Sequence, residues 1–393
     1  MASLPKDLLI CILCQLPVKP LLQFRSVSKS WRHLFDSPLF VDLHLKNSIG
    51  TGSNLALILQ KDSELYSVEL NLLNDPVELV HPLMCYSHRI QVLGSCNGLL
   101  CIANVAEDIA FWNPAIRQHK VLPFLPAEPN NNCGSSYLGA RVYGFGYDSV
   151  HDDHKLVRIS QFINLKNDGF VSKVKVYSLR ENELRDSKDM PYVLCYTKKN
   201  GTLASGCLHW VVNRKFKFDD SDLIVAFDLT VESFREVPMP ECAVEKFQID
   251  VGVLGGCFCM VANYHDIRVD VWVMKEYGVK ESWAKLFTVE QEVIFFGGTF
   301  TYLRPLAYSK SGEEVLLEQN HERLVWYDLR KKKIKNVNLG GLPAPFEAHI
   351  CVGSLVPAEV NREDNEKQQN LGAEKIKSKK RDDFLSKGFK LVL

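Results

Sequence analysis

The sequence has no surplus charge of either sign: Lys plus Arg and Asp plus Glu number 47 each over 393 residues. No global field therefore draws the chain to nucleic acid or to an anionic membrane. Long hydrophobic runs are missing as well. The longest nearly apolar stretch, Val251 to Ala262, is broken by Gly255-Gly256 and falls far short of the roughly 20 apolar residues of a membrane span. The start, Met-Ala-Ser-Leu-Pro, has neither a basic region nor an apolar core, so no secretory signal is expected. The twelve cysteines follow no paired framework and are expected to be reduced, acting as small buried hydrophobes. A soluble protein of the cytoplasm and nucleus is expected, with neither nucleic acid nor membrane as a partner.

What is present declares itself in the first forty residues. Leu8, Leu9, Ile12, Leu13 and Leu16 recur in steps of one and three, which puts them on one broad helical face. Pro5 suits the first helical turn, where its missing N–H has no intrahelical partner to lose. Pro17 stops that helix, Leu21, Leu22, Phe24 and Val27 open a second apolar face, and Trp31 and Leu34 continue it on a third short helix ended by Ser37-Pro38. Three such helices are near or below the size that stabilises itself. Five or six surplus Leu or Ile side chains, at roughly 1.5–3 kcal/mol each, offer on the order of 10 kcal/mol to whatever covers them. Association costs consume part of this.

The run LPKDLLICILCQLPVKPLLQFRSVSKSWRHLFDSPLFVDLHL, from Leu4 to about Leu45, resembles the F-box. Leu-Pro, paired leucines, a second Leu-Pro, Phe-Arg-x-Val, Lys-x-Trp and a closing Phe-x-x-x-His-Leu occur in order, with Ser28 where many members have Cys and Asp7 where many have Glu. The resemblance implies docking on a Skp-type adaptor and, through it, a cullin. Leu4, Pro5, Leu8, Leu9, Ile12, Leu13, Leu16, Pro17, Leu21, Leu22, Val27 and Trp31 are the residues expected to build the module and, where exposed, to dock. Some of them, Trp31 included, are expected to pack internally.

Past Leu45 the spacing changes to short β-rich runs such as LALILQ, GLLCI, LIVAFDL and LVWYDL, with no long helices between them. A phrase of strand, Asn or Asp, turn and short strand recurs: FWNPAIRQHKVLP, VAFDLTVESFREVP, VWYDLRKKKIKNV. Taking Tyr66, Trp112, Tyr177, Phe227, Trp272 and Tyr327 as equivalent marks gives separations of 46, 65, 50, 45 and 55 residues. A period near 50 with about four strands per unit predicts a kelch-like β-propeller of about six blades, against an irregular β-sandwich as the alternative. NGLLCI, FWNPAIRQHKVLP and GFGYDSVHDDHKLVRI also resemble the F-box-associated domain of plant F-box proteins. The ending KKRDDFLSKGFKLVL is similar to the type named for constitutive expression of pathogenesis-related genes. That resemblance implies turnover of nucleotide-binding leucine-rich-repeat immune receptors and restraint of defence.

Several patterns look like sites and have plainer readings. Cys11-x-x-Cys14 has metal-ligand spacing but no second pair nearby, and Cys257-x-Cys259 reads as strand packing. His151-Asp-Asp-His154 carries metal-ligand types, yet sits where a hairpin turn favours Asp. Gly255-Gly256 and Gly297-Gly298 read as blade turns rather than phosphate loops. Arg214 to Phe218 (RKFKF) reads as a rim loop. Lys377, Lys379, Lys380 and Arg381 lie in a charged tail that cannot bury enough surface to order itself. No pattern calls for a metal, a cofactor or a catalytic nucleophile. The expectation is a mainly β chain with a small α module: a three-helix F-box at 1–45, a propeller at 46–357 and a flexible tail at 358–393. It reads as a non-catalytic substrate receptor of a Skp–cullin–F-box ubiquitin ligase that holds an unidentified target protein on its β-domain. The rivals are a propeller enzyme or sugar-binding module, and an F-box protein working outside ubiquitin transfer.

Overall fold

Local signals account for the helices. The computed structural model describes residues 5–83, 89–126, 136–164, 169–195, 199–215, 222–241, 247–264, 267–290, 302–340 and 345–359. Within it α1 spans Lys6–Leu13, α2 Val18–Arg25, α3 Lys29–Phe35 and α4 Pro38–Thr51. α1 ends before Leu16, because Pro17 disfavours helical backbone at the residue preceding it and the last turn tightens through Leu16 N to Leu13 O. The module has four helices rather than three. Ser37-Pro38 does end α3, but the same dipeptide starts α4: the Ser37 hydroxyl accepts from the Phe40 N–H and Pro38 takes the first turn. Gly52, with φ of 61°, caps α4, so the boundary expected at Leu45 lies inside a helix.

Six four-layered sheets follow as the blades of a propeller. Counted outward from the axis, blade 1 is Glu347–Val352, Leu55–Lys61, Glu64–Glu69 and Val77–Leu79. Blade 2 is Ile90–Cys96, Leu99–Asn104, Ile109–Asn113 and Gln118–Val121. Blade 3 is Ser136–Asp148, Asp153–Asn164, Gly169–Ser178 and Glu183–Asp186. Blade 4 has a divided inner strand, Val193–Leu194 and Thr202–Ala204, then Cys207–Asn213, Leu223–Asp228 and Ser233–Val237. Blade 5 is Gln248–Leu254, Cys257–Asn263, Arg268–Met274 and Trp283–Glu290. Blade 6 is Leu303–Tyr308, Glu314–Gln319, Arg323–Asp328 and Lys333–Val337.

Neighbouring pairs are antiparallel and the inner strands touch in a closed ring. The ring is shut by the last strand: Glu347–Val352 pairs with Leu55–Lys61, from Leu55 opposite Val352 to Gln60 opposite Glu347. Closure removes the exposed sheet edge that an open array would leave. All six aromatic marks fall on the third strand of their blades. The wide gap before Tyr177 arises because the first two strands of blade 3 are 13 and 12 residues long.

The GFGYDSVHDDHK stretch is a pin between blades. Asp148 and Asp153 face each other across the hairpin. The buried Lys155 ammonium donates to Asp148 at 2.9 Å, to Glu232 of blade 4 at 3.0 Å and to the Leu229 carbonyl at 2.7 Å. Burial works against a charged Asp148, but hydrogen bonds from Lys155, His151 and Thr230 outweigh it and hold the carboxyl well below its usual range.

Candidate protein-docking sites

The helical module divides its apolar residues between an internal core and an open ridge. Leu13, Cys14, Val18, Leu21, Leu34, Phe35 and Phe40 are buried together with Leu355, which follows the closing strand of the propeller. Trp31 is half-buried, its ring 5.8 Å from Phe24 and 5.4 Å from Phe35. On α1, Leu8 and Ile12 lie one turn apart and remain 53% and 51% exposed, so about half of each side chain is free for a partner. Val27, after α2, is 71% exposed, and Pro5 and Pro17 also face solvent. Such a ridge can dock another protein by burial of apolar surface, with no chemistry of its own.

The propeller offers a second surface. Its inner strands enclose a cavity of about 1050 Å³. At the end next to α4 the lining includes Thr51, Ser53, Gly255, Gly256 and Lys310; toward the other end stand Lys199, Asp250, Tyr302, Arg304, His321 and Glu347. Glu318, fully buried behind them, accepts from Arg304 at 2.6 and 3.0 Å, and His321 Nδ1 lies 2.8 Å from its other oxygen. Burial disfavours its charge, but Arg304 and His321 prevail and lower its pKa. His321 stacks on Tyr302 at 4.3 Å, and Lys199 of blade 4 reaches Asp250 of blade 5 at 2.6 Å. A buried ion pair is weak support for stability. Concentrated at one mouth, these groups can instead orient polar groups of a bound protein.

The chain matches two family models: the F-box domain over residues 1–43 and the F-box associated beta propeller domain over 56–358. The chain is an F-box protein of the F-box-associated propeller family. Among curated relatives of this F-box protein, F-box protein CPR1 of Arabidopsis thaliana is 40% identical over the full length of both chains. F-box protein At4g22390 of the same plant is 32% identical, also with full coverage of both. Among solved structures, an oligogalacturonate lyase in complex with manganese superposes with a TM-score of 0.40 at 10% identity over 71% of each chain, too distant to carry an argument. The F-box implies binding to a Skp-type adaptor in a cullin complex.

The twelve residues singled out in the sequence of this F-box protein separate cleanly. Pro5, Leu8, Ile12, Pro17 and Val27 are exposed, Leu9, Leu16, Leu22 and Trp31 are half-buried, and Leu13 and Leu21 are buried; Leu4 lies outside the described residues. Sequence reasoning missed Leu39 and Leu43, 65% and 38% exposed one turn apart on α4, because that helix was not anticipated. The remaining candidates disperse. Cys11 is exposed while Cys14 is buried, its thiol pushed up to about 11 by burial and Cys11. Cys257 and Cys259 pack in the core between blades 5 and 6. His151 turns to Asp148 whereas His154 is buried beside Phe145 and Tyr147. Among the described residues no group of three or more His, Cys, Asp or Glu could hold a metal ion. Gly255-Gly256 forms the turn expected of it. Arg214 pairs with Glu236 at 2.8 Å and Lys215 is exposed; Phe216 to Phe218, Gly297-Gly298 and the basic tail lie outside the described residues.

Proposed function

We propose that this F-box protein is the substrate-recognition subunit of a Skp–cullin–F-box ubiquitin ligase. In this reading the Leu8–Ile12 ridge, with Pro5, Pro17 and Val27, docks on the adaptor, while Leu13 and Leu21 hold the module together from inside. The propeller face remote from α4 receives a target protein. Its role is non-catalytic: it converts a chance encounter between a target lysine and the charged conjugating enzyme into a local one. The resemblance to the defence-restraining type points to plant immune receptors as the target class and to degradation as the outcome, acting in cytoplasm and nucleus.

The observation that carries this reading is the half-exposed Leu8–Ile12 pair, one turn apart over a core in which Leu13, Val18, Leu21, Leu34, Phe35 and Phe40 are already packed. The test is proximity labelling in plant cells with the full chain carrying Leu8→Asp and Ile12→Asp, under proteasome inhibition. The wild type should label the adaptor and cullin and the variant should not, and at least one protein labelled by both forms should have a longer half-life when the variant replaces the wild type. Adaptor labelling retained by the variant, or no co-labelled protein with an altered half-life, would overturn the proposal.

A further inference from the structure

The F-box and the propeller are joined by more than the chain that links them. Gly353 to Ala358 forms a strap that leaves the closing strand and passes between the two units. Its Leu355 side chain enters the F-box core, which also gathers Ala115 and Ile116 of blade 2. On the propeller side the fully buried Asn113 donates to the Ser354 carbonyl at 3.1 Å and to the Val356 carbonyl at 2.8 Å, while its own oxygen accepts from the Ala115 N–H at 3.0 Å. The Ser354 hydroxyl donates to the Asn97 carbonyl at 2.8 Å. The next residue, Gly98, adopts φ of 84° and lies so close to Ser354 that a Cβ there would collide with it.

The contacts continue into the helices. The Gly353 N–H donates to the Asn54 carbonyl at 2.7 Å, and the Asn54 amide donates to Ser48 on α4 at 2.8 Å. Beside Ser48 on α4, Asn47 donates to the Cys14 carbonyl at the end of α1, and one turn earlier the buried His44 ring nitrogen donates to the Leu16 carbonyl, both at 3.0 Å. Burial lowers the His44 pKa and keeps the ring neutral.

We infer that this strap makes the F-box and propeller one rigid arm. The adaptor ridge on α1 is held at a fixed angle to the remote propeller face, and seating the F-box is coupled to closing the ring. Asn113, Ser354 and Leu355 are the joint. The inference rests on the ligase reading for its purpose, since only there does the angle decide which target lysines come within reach.

The test uses the full chain bound to a Skp-type adaptor, with Asn113→Ala and the milder Ser354→Ala. Scattering from the wild-type complex should fit one rigid shape, and amides of α4 and of Glu347–Val352 should exchange hydrogen at similar slow rates. Asn113→Ala leaves buried carbonyls without donors. It should speed α4 exchange by about tenfold or more and broaden the scattering to a range of F-box orientations, with adaptor affinity within about twofold of wild type. Ser354→Ala should move both readouts in the same direction, less far, should the stronger variant not fold. A wild-type complex in which the F-box swings freely, or unchanged α4 exchange in both folded variants, would overturn the rigid arm. Failure to bind the adaptor at all would instead overturn the ligase reading.

Discussion

The most direct perturbation separates the docking ridge from the core beneath it. Leu8 and Ile12 are 53% and 51% exposed, whereas Leu13 is 3% exposed. Full burial of a Leu or Ile side chain is favourable by about 1.5–3 kcal/mol, so covering the exposed half of each contributes about 1 kcal/mol. Leu8→Ala with Ile12→Ala should therefore weaken adaptor binding by about 2 kcal/mol, roughly thirtyfold, and leave folding nearly unchanged. Leu13→Ala acts through a different route. It opens a cavity beside Leu21, Leu34 and Phe35 and should cost about 2–5 kcal/mol of module stability. Titration calorimetry with purified adaptor reads the first effect and urea unfolding the second. A double variant that binds within about threefold of wild type, while the module remains folded, would refute the assignment of the ridge.

Two further outcomes follow from buried charge. Lys155→Met leaves Asp148 and Glu232 without their shared cation in the seam between blades 3 and 4 and should lower stability by about 3–5 kcal/mol; a loss below about 1 kcal/mol in denaturant unfolding would show that the pin is ornamental. Burial holds His154 and His209 down to about 4, from an ordinary value of 6.5. Between those values the unfolded chain binds protons that the fold refuses, so stability is level above pH 7 and falls as pH drops through 6.5 toward 4. At pH 5 each imidazole should remove about 2 kcal/mol. Asp148, held well below the usual carboxylate range, stays charged through this window and does not offset the loss. A urea midpoint unchanged between pH 7.5 and 5 would contradict the buried, neutral assignment.

Much of the architecture is legible in the chain because it is written at short range. The one- and three-residue spacing of Leu8, Leu9, Ile12 and Leu13 marks a helix wherever it packs. The aromatic mark falls once on the third strand of each blade, which is why six marks count six blades. The fourth helix escaped because Ser37-Pro38 serves equally as a stop and as a start, and only the chain beyond it decides between them.

Sequence alone determined that this protein carries an F-box, a ring of β-rich repeats and more apolar surface at its amino end than three short helices can hide. Tertiary structure decided which side of that surface stays open. Leu8 and Leu13 are the same residue type on the same helix, and they differ only in whether Val18, Phe35 and Leu355 cover them. The same holds for Asn113, whose partner Ser354 lies 241 residues away, and for Lys155, whose carboxylate Glu232 belongs to the next blade. Periodicity is set by backbone geometry and can be read locally, whereas burial and pairing are set by which distant segments arrive alongside, and the ring closure that brings them there appears in no local pattern.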